Sequence, residues 1–181
     1  YKDRFHGSQL QEAFNNNLMS VFLEGWLSCL DESMMEWLNK YGPGFMVVPR
    51  KPHPFGNEFH TIACAECGIM YYSEIVEGKD RPPQKGKHEY ENFGKTAGLM
   101  VRMSKPLWGT GHVVIMDSGF SVVKGIIEME KKGVYGASLV KKRRYWPTNV
   151  PGDAINKYME NKEVGYCDAV KKEQDGIPYH L

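Results

Sequence analysis

The 181-residue sequence contains little that would place it in a bilayer or a secretory route. Its longest apolar stretch, around Leu18 to Leu30, is interrupted by Glu24 and is shorter than the roughly 20 residues a spanning helix needs. Nothing resembles a signal peptide, so a soluble intracellular protein with no membrane partner is expected. Cysteine is scarce, four residues in all, which argues for reduced thiols and against a disulfide framework. There is no internal repeat and no low-complexity segment, which excludes a solenoid and a biased tail. The formal net charge is only +1, so the total charge points to no partner.

What is present is a hydrophobic content of 41%, enough for one proper core in one domain. The near-neutral total hides an uneven distribution. Lys131, Lys132, Lys141, Lys142, Arg143 and Arg144 are clustered, whereas acids gather at Asp31, Glu32 and Glu36. The chain opens on Tyr1 and stops where an apolar strand is starting, at Gly176 to Leu181, and so reads as an excerpt of a longer protein.

Apolar residues Phe5, Leu10, Phe14, Leu18, Met19, Phe22 and Leu23 recur at helical spacing and predict one helix ending near Gly25. After Asp31 an irregular stretch is expected, with a turn at Gly42-Pro43-Gly44 and a short strand over Phe45 to Val48. A proline-rich loop, Pro49 to Pro54, follows. Glu58 to Ala65 and Ile69 to Val76 read as a hairpin turning at Glu66, Cys67 and Gly68. A helix is predicted from about Tyr90 to Met103, then a strand from Val113 to Met116, a helix from Val122 to Lys132 closed by Gly133, and a strand from Tyr135 to Val140. The order β-β-β-α-β-α-β points to a mixed sheet flanked by helices. The tail from Thr148 to Tyr166 is polar, with one short helix at Asp153 to Asn161.

Two aspartates stand in matched settings. Asp31 closes Trp26-Leu27-Ser28-Cys29-Leu30, and Asp117 closes His112-Val113-Val114-Ile115-Met116. A carboxylate at the end of a buried strand is costly to desolvate unless a partner or a cation satisfies it. Two of them on strands lying side by side suggest a divalent-metal site. A single aspartate is otherwise an ordinary helix cap or solvated turn residue. Cys64-Ala65-Glu66-Cys67, with His60 four residues earlier, offers a zinc half-site, but Cys29 and Cys167 have no neighbour in sequence, and a plain hairpin turn is the better reading. The run Lys141-Lys142-Arg143-Arg144, followed by Tyr145 and Trp146, is either a solvated loop or a contact to a DNA backbone.

Asp31-Glu32 after its apolar approach, Pro49-Arg50-Lys51-Pro52, the hairpin, the Lys105-Pro106 helix end, Ile115-Met116-Asp117-Ser118-Gly119-Phe120 and the strand before Lys141 occur in that order. The pattern resembles the transposase domain of the PiggyBac family over roughly Phe5 to Tyr166. The resemblance implies an RNase H-like α/β fold, a mixed sheet flanked by helices, lacking the last catalytic segment. Residues 1–181 are then a single domain fragment, with a helical lead-in over 1–25, the core over 26–145 and the start of an insertion or following subdomain over 146–181.

The resemblance further implies that Asp31 and Asp117 are the first two catalytic, metal-ligating aspartates of a DDE-type enzyme. Two Mg²⁺ or Mn²⁺ ions would serve DNA strand cleavage and transfer in cut-and-paste transposition, with transposon ends and target DNA as partners, a possible homodimer and a nuclear location. Glu32 is expected to shape the local field. The family's third aspartate lies on a later helix and has no match before Leu181, since Asp168 and Asp175 read as solvated turn residues. Ser118 stands where the family commonly has Asn, and Ser33 to Leu38 is rich in Met and Trp. These departures keep a second reading open, a domesticated, catalytically inactive DNA-binding protein. The chain alone is not expected to cut DNA.

Overall fold

The computed structural model describes residues 6–42, 44–76, 89–140 and 150–180. A helix, α1 (His6–Val21), leads into a long strand, β1 (Leu27–Glu36). A two-residue strand, β2 (Met46–Val47), and the hairpin β3 (Phe55–Cys64) and β4 (Met70–Ile75) follow. Next come α2 (Lys95–Met103), β5 (Val113–Met116), α3 (Val123–Glu130) and β6 (Tyr135–Ser138). The last described elements are α4 (Gly152–Met159) and a separate small hairpin, β7 (Lys171–Gln174) with β8 (Ile177–His180).

The main sheet runs β2-β3-β1-β5-β6, with β4 also paired to β3. β3 is antiparallel to β1 and β4, whereas β1, β5 and β6 are parallel. A three-strand antiparallel meander feeding two parallel strands by right-sized helical crossovers is the mixed, RNase H-like arrangement expected from the sequence. One face of the sheet is covered. Leu30, Ile62, Val114 and Met116 meet Leu99, Met100 and Met103 of α2 and Met129 of α3 in a single buried cluster. Each such side chain contributes about 1.5–3 kcal/mol on burial. Met19 and Phe22 pack against the same cluster, and Phe22 stacks on the buried Tyr71 with ring centroids 5.7 Å apart. Asn15 exchanges hydrogen bonds with the Ser73 backbone, fixing α1 on β4. The other face, carrying Cys29, Ile115 and Tyr135, is exposed among the described residues.

Several boundaries differ from the sequence reading. The first helix ends at Val21, short of Gly25, because the chain turns there to send Phe22 into the core. The stretch after Asp31 is regular strand as far as Glu36, laddered to β3 from Ser28↔Cys64 to Glu36↔Gly56. Its acids and methionines hide the strand period, and the long partner imposes it. Gly56 is required at the end of this ladder, where a Cβ would run into the Met35 carbonyl. Gly94, at φ 98° and ψ 154°, splits the predicted 90–103 helix into a 3₁₀ turn, Glu91–Phe93, and α2. The tail adds the β7–β8 hairpin to the predicted helix.

Candidate active site

The parallel register brings the two aspartates together. Leu27 lies opposite Val113, Ser28 opposite Val114, Cys29 opposite Ile115 and Leu30 opposite Met116. Asp31 and Asp117 are the next residue on each strand. Neighbouring strands are about 4.8 Å apart; β5 ends at Met116, whereas β1 runs on past Asp31 to Glu36. Both aspartates are exposed: Asp117 at the carboxyl end of β5, where α/β sheets gather ligands, and Asp31 beside it within β1. The Cys29 thiol, two residues below Asp31 on the same face, is pushed up by its burial and then by the negative charges of Asp31 and Asp117.

Each aspartate is held locally. The Glu32 N–H donates to Asp31 Oδ1 at 2.8 Å, and Thr61 Oγ1 donates to the Asp31 carbonyl at 3.3 Å. Asp117 caps the short 3₁₀ turn Ser118–Phe120, its Oδ1 accepting the Gly119 N–H at 2.6 Å. A Cβ on Gly119 would sit 2.9 Å from that same Oδ1 and 3.6 Å from Glu32 Oε1. The lack of a side chain at 119 therefore leaves room for two carboxylates that are close neighbours.

Glu32 enters this edge from the helix-covered face. Its carboxyl is pushed above the usual range, first by burial, then by Glu58, Asp117 and Asp31, with Lys51 opposing. Arg50 Nη2 lies 3.8 Å from Glu32 Oε2, and Lys51 Nζ donates to the Glu32 carbonyl at 3.0 Å. Across the ladder Glu32 faces His60, and His60 in turn faces Glu74 of β4. The His60 ring meets Phe120 edge-on at 6.1 Å. Sequence reasoning missed this row, having grouped His60 with the cysteines. The signal was the strand alternation of Glu58, His60 and Ile62 on β3, legible only once β1 was known to continue past Asp31.

The remaining candidates lie elsewhere. Cys64 is buried and Cys67 exposed at the β3–β4 turn, and all four cysteines are free. The Cys64 thiol is pulled down by backbone N–H groups of Cys67, Gly25 and Glu66. Asp168 accepts the N–H of Ala169, and Asp175 occupies the β7–β8 turn at φ 55°, 3.9 Å from Lys131. Lys141, Lys142, Arg143 and Arg144 lie outside the described residues. Strand β6, which precedes them, ends at Ser138, level with Met116.

Among the described residues no group of three or more His, Cys, Asp or Glu side chains is placed to hold a metal ion. The chemistry of the donors brought together is nonetheless that of hard cations. Two aspartates share one sheet edge, and a third acid, Glu32, lies beside them.

The family model for transposase IS4 matches residues 1–175. The chain belongs to the transposase IS4 family. Its fold is that of a solved piggyBac transposase, a synaptic complex with hairpin DNA, at a TM-score of 0.68 and 16% identity over 95% of this chain. The chain spans about a third of that transposase, 34% of its length. No curated protein sequence matches it. This transposase domain contains no helix, among the described residues, long and apolar enough to cross a membrane.

Proposed function

We propose that this transposase domain supplies two of the metal-binding carboxylates for DNA strand cleavage and transfer in cut-and-paste transposition. The observation that carries the reading is the placement of Asp31 and Asp117, each one residue beyond the Leu30↔Met116 pair of adjacent parallel strands. Asp31 and Asp117 would hold Mg²⁺ or Mn²⁺, and such ions supply stabilisation of the attacking and leaving oxygens in phosphoryl transfer. The protein's own part is positional. The Gly119 N–H and the Glu32 N–H each fix one carboxylate oxygen, so the donors are oriented before a cation arrives. Glu32 adds negative field from behind, which favours a cation over a bound anion at the edge. The partner in this reading is DNA, at transposon ends and target, in the nucleus, with the chain acting as part of a homodimeric transposase.

The test is Mn²⁺ binding followed by electron paramagnetic resonance, beside cleavage of transposon-end DNA. The 181-residue chain should bind Mn²⁺ weakly and leave the DNA uncut, because in-line displacement tolerates little misplacement of an under-coordinated ion. Asp31→Asn and Asp117→Asn should each weaken Mn²⁺ binding by about tenfold or more, the loss of one charged ligand being worth at least about 1.4 kcal/mol. Mn²⁺ affinity indifferent to both substitutions would reject the site. Cleavage by a version extended beyond residue 181 separates a working transposase from an inactive, DNA-binding descendant.

A further inference from the structure

The Pro49-Arg50-Lys51-Pro52 segment has no role in the metal-binding reading, yet it is built against it. The loop between β2 and β3 is closed twice, by the Val48 N–H to the Pro54 carbonyl at 2.8 Å and the Lys51 N–H to the Val48 carbonyl at 3.0 Å. Pro49, Pro52 and Pro54 restrict its backbone further. It is also clipped along β1 at two points. Lys51 and Arg50 meet Glu32, and His53 Nδ1 lies 3.5 Å from Glu36 Oε2. The loop is thus a pre-shaped arm lying on the same strand that carries Asp31.

Its two cations differ in a useful way. Lys51 is half-buried and anchored, with one of its three N–H donors taken by the Glu32 carbonyl. Arg50 is loosely held, 71% exposed and 3.8 Å from a single Glu32 oxygen, so its fork of donors faces solvent. The electrostatic need is plain. The strand register and the approach of Glu32 and Asp117 around Gly119 gather carboxylates at one edge, so this edge repels a polyanion unless fixed positive charge lies beside it. Arg50 and Lys51 supply that charge at Glu32, the residue next to Asp31, and guanidinium and ammonium groups are the side chains that grip phosphate.

We propose that Arg50 and Lys51 form a phosphate clamp that holds the DNA backbone beside the Asp31–Asp117 edge. The inference rests on the reading of that edge as the DNA-processing site. Lys51 acts as the fixed post and Arg50 as the movable one, leaving the Glu32 carboxylate when a phosphodiester arrives. Both are positioning residues for the DNA strand.

Fluorescence anisotropy of the 181-residue chain on labelled duplex DNA, at several potassium chloride concentrations, tests it. Each phosphate contact contributes about 0.9 to the slope of log affinity against log salt. Arg50→Ala with Lys51→Met, which keeps most of the lysine stem, should lower the slope by about two and weaken binding at low salt. Arg50→Ala alone, at an exposed position that spares the loop, should lower it by about one, and Arg50→Lys should restore most of that. Mn²⁺ binding should be kept in all of them. Parent-like slopes and affinities in Arg50→Ala and in the double variant, with the parent binding DNA, would overturn the clamp and leave the metal edge standing. A parent chain with no salt-dependent DNA binding would overturn the DNA reading itself, and the clamp with it.

Discussion

Replacing Arg102 by Met should destabilise the fold sharply, and replacing its partner as well should largely repair it. Arg102 of α2 donates from Nε and Nη2 to the two carboxylate oxygens of Glu74 on β4, at 2.6 and 2.8 Å. The two side chains are only 12% and 13% exposed. Glu74 faces His60, which faces Glu32, so the pair anchors one end of the polar row that reaches the edge carrying Asp31 and Asp117. Removing the guanidinium leaves a carboxylate largely out of water without its counter-charge. Breaking a buried pair in this way costs about 3–5 kcal/mol, and the remaining solvent contact places this case near the lower end, about 3 kcal/mol. Against a total stability of about 5–15 kcal/mol, that is a large fraction. In urea, with a slope of about 2 kcal/mol per molar, the midpoint should fall by about 1.5 M. Arg102→Met combined with Glu74→Leu removes both charges and fills the space with apolar atoms, and should lie within about 1 kcal/mol of the parent. A single variant that loses less than about 1 kcal/mol, or a double variant less stable than the single, would refute the argument that the cost is an orphaned charge.

Gly119→Ala should push the Asp117 carboxylate off its 2.6 Å bond to the Gly119 N–H. Because only a side-chain oxygen must move, melting should shift little while Mn²⁺ affinity falls about tenfold, the worth of one hydrogen bond to a charged group, and unchanged affinity would contradict it. Tyr71→Phe removes the buried Tyr71–Ser28 hydroxyl contact of 2.8 Å and should cost about 1–2 kcal/mol at neutral pH. Burial pushes the Tyr71 phenol from 10 up to about 12. The folded chain therefore keeps a proton that the unfolded chain loses, so parent stability should fall as pH rises from 10 and level off above about 12. Tyr71→Phe should flatten that decline in alkaline denaturation curves, and an equally steep curve would show that another group titrates there.

Much of the fold was legible from the chain. The uninterrupted Val113 to Met116 run, the Glu66 to Gly68 turn between two β-rich segments and Gly133 closing α3 are local signals. Local signals survive folding because each reflects backbone geometry or a single buried face. Asp117 was legible for the same reason, since it follows an apolar run at the point where β5 ends, whereas Asp31 closes an apolar run but not its strand, which goes on to Glu36. The sequence alone also shows Arg50 and Lys51 inside a proline-rich loop.

What the tertiary structure decided is every relation between segments distant in the chain. Nothing local to Glu32 announces that its strand continues to Glu36, because that continuation depends on hydrogen bonds to β3, 20 to 28 residues away. The register Leu30↔Met116, which places Asp31 beside Asp117, joins strands separated by β2, the β3–β4 hairpin and α2. The row Glu74–His60–Glu32, the seating of the 49–54 loop on β1 and the Arg102–Glu74 pair follow from that pairing. Composition sets which residues are available to the sheet edge. Only the pairing of strands, fixed by the burial of one whole face against α2 and α3, determines which of them meet.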